Sequence, residues 1–287
     1  MNEDINELFG DLRSLFAGGD YEPRELYWLL CEAQAGEPDQ YRDQWHHYLR
    51  HYGPLRLLIT SIDEVHRLPD LLPEDQLQDV TLRMTGHHLR KWHFQELADS
   101  QGAWFVRELD ISDNKAQNHY PTPFAHSETL VNVRVLNMAR CGLHNMVATW
   151  ILDSKFMASV EDLDLEGNPL EHNDIEVMMA SEHIRGLRRL NLNACYIDHM
   201  ALQALIESPN LPALTALSLE GNPLNAEAFE ALSTWPGLAN LEQLHMPWDV
   251  LAANLDVRQR FIDSRYLNET LKDEIFEASL PKQRNTK

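Results

Sequence analysis

The sequence repeats itself every 27 residues, and this repetition limits the fold more than any other feature. The segments "LDLEGNPL" at 163–170 and "LSLEGNPL" at 217–224 are nearly identical, and "LNLNACYI" at 190–197 is a looser copy. With the first apolar residue as position 1, each unit follows LxxLxLxxNxL. Leucine occupies position 4 seven times without an insertion, which is the mark of a repeat array: Leu82, Leu109, Leu136, Leu163, Leu190, Leu217 and Leu244.

The spacing of apolar residues within a unit predicts one strand and one helix. Apolar residues at positions 4 and 6 alternate with polar ones, as in a strand with one buried face. Beyond position 11, gaps of three and four residues such as Leu202–Leu205 and Phe229–Leu232 are helical. Position 6 is filled by Met84, Ile111, Met138, Leu165, Leu192, Leu219 and Met246. Position 11 is filled by Leu89, Ala116, Leu143, Leu170, Ile197, Leu224 and Leu251.

Stacked units of this kind predict an α/β solenoid with a parallel sheet on one side and helices on the other. Helices are about 10 Å wide and strands lie about 4.8 Å apart, so the stack bends into an arc with the sheet on its concave side. The pattern resembles the leucine-rich repeat family over about 52–267. In that family a rigid concave face generally binds a protein or peptide, and the resemblance implies the same here.

Position 9 holds a short polar residue or a cysteine in most units. The turn there is expected to be buried, so its backbone groups need a side-chain partner. Alternation of Asn and Cys resembles the ribonuclease-inhibitor-like class, although that class commonly alternates slightly longer units. Cys141 and Cys195 are two units apart, about 9.6 Å, which is too far for a disulfide, so these thiols and Cys31 are interpreted as structural. The position reads His87, Asn114, Cys141, Asn168, Cys195, Asn222 and Asp249.

Helical caps are expected at both ends of the array, because an open terminal repeat exposes an apolar face. We expect a helical N-terminal cap over 1–51, the array over 52–249, a helical C-terminal cap over 250–280 and a disordered tail over 281–287. Within the array, Leu55, Leu57 and Ile62 suggest a degenerate eighth unit.

Each predicted cap contains apolar residues at helical spacing. The N-terminal helices are expected in "INELFGDLRSLF", "PRELYWLLCEAQA" and "DQYRDQWHHYLRHYG". In the C-terminal cap the residues expected to close the last unit are Leu255, Phe261, Ile262, Tyr266, Leu267, Leu271, Ile275 and Phe276.

The chain is strongly acidic, with a formal net charge of −21 and no Lys or Arg from 190 to 257. Such a surface repels phosphate backbones, so we expect no nucleic-acid partner. The alternative interpretation is that the acidity only keeps the protein soluble.

The sequence has no apolar run long enough for a membrane span and no basic, apolar signal sequence. These features predict a cytoplasmic protein, with secretion that uses no cleaved signal as an alternative.

Catalytic motifs are absent from the sequence. It has no GxSxG, no P-loop and no CxxC pair, and none of the three cysteines has an evident base beside it. We therefore expect no enzymatic activity and no cofactor. The alternative is a metal site in the His-rich N-terminal third, where His47 and His51 stand at i, i+4 and "GHHLRKWH" adds three histidines, with His87 expected at a buried position.

The concave face is the predicted binding surface, because packing does not determine positions 2, 3, 5, 7 and 8. A monomeric module that binds a basic or polar segment of another protein is the leading hypothesis. The alternatives are a concave face that is hydrated but binds no partner, and a structural role through self-association. Trp248 fits a binding site and the C-terminal cap equally well. The candidate binding residues are Asp110, Asp164, Glu166, Asn191, Glu220, His245 and Trp248.

Overall fold

A computed structural model describes residues 22–36, 46–47, 56–73, 75, 78–115, 122–144 and 154–279. Eight strands lie within these ranges: β1 Arg56–Ile59, β2 Asp79–Arg83, β3 Val106–Asp110, β4 Val135–Asn137, β5 Asp162–Asp164, β6 Arg189–Asn191, β7 Ala216–Ser218 and β8 Gln243–His245. The helices are α1 Pro23–Gly36, α2 Ile62–Leu71, α3 Lys91–Asp99, α4 Thr122–Ala125, α5 His172–Ala180, α6 His199–Glu207, α7 Ala226–Ser233, α8 Asp249–Ala253, α9 Leu255–Ile262 and α10 Glu269–Ala278.

The strands form one parallel sheet in sequence order from β1 to β8. From β2 onward, position 4 of each unit pairs with position 4 of the next, for example Leu163 with Leu190 and Leu190 with Leu217. The 27-residue register is therefore confirmed. The architecture is that of a leucine-rich repeat solenoid, with the sheet on the concave side and helices on the convex side.

The core is a continuous apolar layer between the sheet and the convex segments. Every residue at positions 4 and 6 from Leu82 to Met246 is buried, as are the described residues at position 11. On the convex side Phe94, Phe124 and Phe156 follow one another with ring centroids 5.3 and 5.9 Å apart. Successive units therefore share one core, as expected for a repeat array.

The first unit differs from the predicted eighth repeat. Ile59 pairs with Leu82 and Leu57 with Val80, so Ile59 takes position 4 and the step to the next unit is 23 residues. The prediction from Leu55, Leu57 and Ile62 was wrong, because both Leu57 and Ile59 face the core and an alternating apolar run offers two registers.

Position 9 forms a buried ladder of hydrogen bonds through the middle of the array, which we call the asparagine–cysteine ladder (Asn114, Cys141, Asn168, Cys195, Asn222). The Asn168 amide donates to Met138 O at 2.9 Å and Leu165 O at 2.7 Å. Its Oδ1 accepts from Cys141 N and Leu143 N, both at 3.0 Å. The side chain therefore satisfies backbone groups of its own unit and of the preceding one.

The cysteines of the ladder satisfy fewer groups than the asparagines. Cys195 Sγ donates to Leu165 O at 3.1 Å, a carbonyl equivalent to the one that Asn222 reaches in its neighbour. Burial raises the pKa of the Cys141 thiol to about 11 and that of Cys195 to about 12. Both thiols stay protonated at neutral pH, which fits a structural role.

The two ends of the predicted ladder are exposed. His87 and Asp249 both lie on the surface, so the prediction of a buried ladder residue was wrong at these two positions. Asp249 begins helix α8, which replaces the turn of the last unit. At the other end, Asn114 Oδ1 accepts from Leu89 N at 3.1 Å, as in the later units, but the preceding unit passes from β1 to α2 within three residues and departs from the repeat pattern that the His87 side chain would bond.

Helix α1 covers the N-terminal edge of the sheet, as the segment "PRELYWLLCEAQA" predicted. Arg24 forms two hydrogen bonds with the Glu64 carboxylate, of 2.6 and 2.7 Å, and donates to Leu58 O at 3.2 Å. These contacts link α1 to β1 and α2. The other two predicted N-terminal helices lie outside the described residues, apart from a helical His46–His47 pair.

The C-terminal helices pack against the last units. Phe261 of α9 lies against Phe229 of α7, with centroids 5.7 Å apart, and Asn268 Nδ2 donates to Leu241 O at 2.6 Å. Leu267, Leu271 and Ile275 are buried as predicted, and Ile262 and Tyr266 are partly buried. Leu255 and Phe276 are exposed, contrary to the prediction, because each lies on the outer side of its helix. The predicted tail at 281–287 lies outside the described residues.

Candidate functional site

Six of the seven candidate residues lie on the strands of the concave sheet or in the turns directly after them, but they do not form one cluster. Asp110 lies on β3, Asp164 on β5, Asn191 on β6 and His245 on β8. Adjacent strands are about 4.8 Å apart, so Asp110 and His245 are about 24 Å from each other. The candidates therefore describe a long surface and not a compact pocket.

Side chains at position 5 have a structural role that the sequence interpretation missed. Asp110 Oδ1 accepts from Ser112 N at 3.1 Å, and Asn137, Asp164 and Asn191 accept in the same way from the N–H two residues later, at 2.9 to 3.0 Å. Such bonds start the turn that follows each strand. The recurrence of Asp and Asn at this position was the available signal, and position 5 is less free to vary than we expected.

The electrostatic environment differs among the acidic candidates. Burial raises the pKa of Asp164 above its ordinary value, although the hydrogen bond from the Glu166 N–H opposes the effect. Glu166 is held by Arg140, whose Nη1 is 3.1 Å from Oε1. Arg140 also makes two hydrogen bonds to Asp113, of 2.7 and 3.0 Å, and lowers the pKa of that carboxyl.

Glu220 and His245 are the candidates most available to a partner. Both are exposed, and within the described part of the chain neither side chain makes a hydrogen bond or an ion pair. Asp164, Asn191 and His245 line one cavity of about 240 Å³ on the sheet, together with Asp162, Arg189 and Ser218. This β5–β8 cavity unites three of the seven candidates.

Trp248 belongs mainly to the C-terminal cap. Its ring lies 6.1 Å from that of Phe229 and 6.4 Å from that of Phe261, measured between centroids, and it packs partly buried against the core. Of the two interpretations, the structure favours packing on the cap. The tryptophan still lines a cavity of about 670 Å³ with Glu220 and Asp249.

A basic cavity lies at the other end of the concave face, and it was not predicted from the sequence. Its volume is about 520 Å³, and we call it the arginine pocket after its four basic residues, Arg56, Arg83, Arg107 and Arg134. The four residues come from four successive strands or their N-terminal ends, so only the strand register brings them together. In the sequence Arg107 and Arg134 belong to the same inner face, but the sequence does not show that they line one cavity with Arg56 and Arg83.

Charge therefore changes along the concave face. Strands β1–β4 present the four arginines of the pocket against the carboxylates of Asp79, Glu108 and Asp110. Strands β5–β8 present Arg188 and Arg189 against six carboxylates: Glu161, Asp162, Asp164, Glu166, Glu220 and Glu242. The N-terminal half of the face is the more basic half, although the whole chain is acidic.

The described residues give no support to the metal alternative. They contain no group of three or more His, Cys, Asp or Glu side chains that could hold a metal ion. In "GHHLRKWH", His87 and His88 are exposed, and His93 Nδ1 accepts from Arg90 N at 2.8 Å. His51 lies outside the described residues.

None of the described helices combines the length and apolarity needed to cross a membrane.

Comparison with known proteins yields distant structural likenesses. An internalin, InlF, from Listeria monocytogenes str. 4b F2365 is similar at 17% identity and a TM-score of 0.42, over 74% of this chain and 52% of that chain. TLR13, in a complex with ssRNA13, is similar at 16% identity and a TM-score of 0.40, over 73% of this chain and 33% of that chain. The chain thus spans about half of InlF and a third of TLR13. No protein-family model and no curated protein matches it.

Proposed function

We propose that this protein is a non-enzymatic interaction module whose concave face binds an extended segment of a protein partner. One observation carries the proposal: eight parallel strands present a continuous polar face with two cavities, one at each end of the sheet. Seven strand spacings amount to about 34 Å, which an extended segment of roughly ten residues crosses. Such a face suits recognition by an adaptor, an inhibitor or an effector.

The structural details support a finer proposal. Helical convex segments and the alternation in the asparagine–cysteine ladder fit the ribonuclease-inhibitor-like class. The three cysteines are free and buried, which fits a reducing, cytoplasmic environment. The acidic surface disfavours nucleic acid as a partner. A monomer is the proposed state, because α1 and the C-terminal helices cover the apolar ends of the described array.

The experiment starts from peptides selected on the full-length protein from a random displayed library. The double variant Asp164→Asn, Glu220→Gln removes two carboxylates from the concave face and keeps an acceptor for the Glu166 N–H. We expect the selected peptides to bind this variant about threefold to tenfold more weakly, since an ion pair at a protein surface contributes up to about 1 kcal/mol. Fluorescence anisotropy measures the affinities, and the loss should shrink in high salt.

A matched control removes the same charge from the convex side. Glu176 and Glu207 lie exposed on α5 and α6, so Glu176→Gln with Glu207→Gln should leave peptide affinity unchanged. Equal affinity for wild type and both double variants would place the binding site away from the β5–β8 part of the sheet and contradict the proposed function.

A further inference from the structure

The arginine pocket is the one concentration of positive charge on the described concave face. Arg83, Arg107 and Arg134 stand on or beside three adjacent strands, which places them within about 10 Å across the sheet. Arg83 pairs with Asp110, three residues beyond Arg107, so it is also offset from Arg107 by about 10 Å along the strands. Arg56 precedes them at the start of β1. Guanidinium groups at this spacing can each meet a different carboxylate of one extended segment.

The arginines of the pocket are only partly neutralised. Arg83 Nε lies 3.6 Å from Asp110 Oδ2, beyond hydrogen-bond distance, and its side chain is 52% exposed. Arg134 reaches Ser159 O at 3.1 Å and Glu161 at 3.4 Å. Arg107 makes no side-chain hydrogen bond or ion pair to any described residue. The pocket therefore retains donors for an anionic ligand.

We propose that the arginine pocket binds an acidic stretch of the partner segment, with the segment's basic or polar residues over β5–β8. The proposal rests on the proposed function and makes it more specific. Charge complementarity is its basis: β1–β4 carry four arginines against three carboxylates, whereas β5–β8 carry two arginines against six carboxylates. The partner is thus a dipolar peptide segment, and it crosses the strands in one orientation.

A peptide suits the pocket better than a nucleic acid. The pocket spans about 14 Å between β1 and β4, which an extended chain covers with about four residues. A longer polyanion would continue over the carboxylates of β5–β8 and be repelled, since the net charge of the chain is −21. A short acidic stretch followed by basic residues avoids that repulsion.

The test measures binding of fluorescein-labelled hexaglutamate to the full-length protein at low ionic strength. We expect saturable binding, which is unusual for an acidic protein and an acidic peptide. Arg83→Gln with Arg107→Gln should weaken it at least about fivefold, because these arginines have the fewest contacts within the protein. The control Arg185→Gln with Arg260→Gln removes the same charge from exposed convex positions and should leave the affinity unchanged.

Three results would overturn the arginine pocket as a peptide site: no saturable binding of hexaglutamate, equal binding by wild type and the Arg83/Arg107 variant, or tighter binding of a single-stranded RNA hexamer that this variant abolishes. Thermal melting of each variant shows that it is folded. The library-selected peptides separate the two proposals. If the Asp164/Glu220 variant weakens their binding and the Arg83/Arg107 variant does not, the proposed function is supported and the arginine pocket as a site for an acidic stretch is contradicted.

Discussion

The residue at position 9 alternates between asparagine and cysteine, and the backbone conformation at position 10 alternates with it. Where the next unit supplies Asn, position 10 has a positive φ: 53° at His88, 68° at Gly142 and 61° at Tyr196. The N–H at position 11 then reaches the asparagine oxygen, as Ile197 N reaches Asn222 Oδ1 at 2.9 Å.

Where the next unit supplies Cys195, the preceding turn closes on itself. Leu170 N donates to Asn168 O at 2.8 Å and to the Cys195 carbonyl at 3.2 Å. The intervening residue is Pro169, whose ring requires a negative φ. The equivalent turn at 222–224 has the same internal bond, of 2.8 Å, also around a proline. A thiol is a weak acceptor, so a unit that precedes a cysteine must find backbone acceptors for its own N–H group.

Two exposed sites at position 10 test this coupling. Gly142 has a φ of 68°, which a proline ring excludes, so Gly142→Pro should break the bond from Leu143 N to Asn168 Oδ1. We expect it to lower the unfolding free energy by about 2 kcal/mol or more. Pro169→Ala, at the equivalent site of the next unit, keeps a residue that adopts a negative φ. It should cost less than about 1 kcal/mol, through the greater freedom of the unfolded chain.

Gly142→Ala provides an intermediate step in the same experiment. A Cβ at this residue would have no atom within 4 Å, so only the backbone conformation opposes it. We expect a loss of about 1 kcal/mol. Urea unfolding measures all three variants. A Gly142→Pro variant as stable as Pro169→Ala would show that φ does not govern these sites.

The raised pKa of Asp164 gives a pH-dependent prediction. A carboxyl whose pKa is higher in the folded state than its ordinary value of 3.8 opposes folding once it ionises, and this penalty vanishes below that value. Asp164→Asn keeps an acceptor for the Glu166 N–H, as Asn137 and Asn191 do in their units. The variant should therefore be more stable than wild type at about pH 7, with the gain disappearing towards about pH 3.

Glu64 provides the contrast of opposite sign. Burial acts to raise its pKa, but hydrogen bonds from Arg24 and the Thr60 N–H outweigh burial and lower it. Its ionised form therefore stabilises the fold at neutral pH, and that contribution is lost as the pH falls below about 4.5. Glu64→Gln should destabilise the protein at neutral pH and have less effect in acid. A destabilising Asp164→Asn at neutral pH would contradict the first assignment, and a stabilising Glu64→Gln would contradict the second.

Individual residues were predicted correctly from the sequence at positions where packing or hydrogen bonding admits one kind of side chain. Buried leucines and the asparagines of the ladder follow from period and polarity alone. Asp249 failed because its unit is the last of the array and continues directly into helix α8. His87 failed because the unit before it passes from β1, which ends at Ile59, to α2, which begins at Ile62, and so departs from the repeat pattern. The role of Asp110 and Asp164 in turns was missed because a carboxylate on an exposed face has the same pattern whether it bonds a ligand or its own backbone.

At the scale of elements, the strands were predictable and the convex segments were less so. Each strand has a fixed apolar alternation, whereas on the convex side an α-helix can be followed within the same unit by a short 3₁₀ helix, as α3 is followed by Gln101–Phe105. Apolar spacing of three and four residues does not distinguish the two.

Gly102 shows how tightly such a turn packs against the adjacent helix. A Cβ at this residue would lie 1.8 Å from Val65 O of α2, so α2 and the turn would have to separate. Gly102→Ala should cost about 3 kcal/mol or more. Gly186 is a matched control in a later unit, where a Cβ would meet its nearest atom at 3.5 Å. Gly186→Ala should leave the melting temperature nearly unchanged, and a similar result for Gly102→Ala would show that the turn is loosely packed.

At the scale of the whole molecule, net charge predicted the character of the surface but not its distribution. The excess of acidic residues suggested a basic partner for the concave face as a whole. Arg56 and Arg83 are 27 residues apart, as are Arg107 and Arg134, so the strict period already places each pair at equivalent positions of adjacent units. The period does not give the offset of β1, which pairs Arg56 with Asp79, or the register shift between β2 and β3. The excess of basic residues at the N-terminal end was therefore visible in the sequence, whereas the cavity that they line was not.

The alternation at position 9 also defines the modular unit of the molecule. An Asn repeat completes the turn of the Cys repeat before it, since the Asn222 side-chain oxygen accepts from the N–H groups of Cys195 and Ile197. Removing one repeat would place two asparagines or two cysteines side by side, whereas removing two adjacent repeats leaves every remaining contact type unchanged. Lengthening or shortening of this array, by gene duplication or by design, is therefore least disruptive in steps of two repeats.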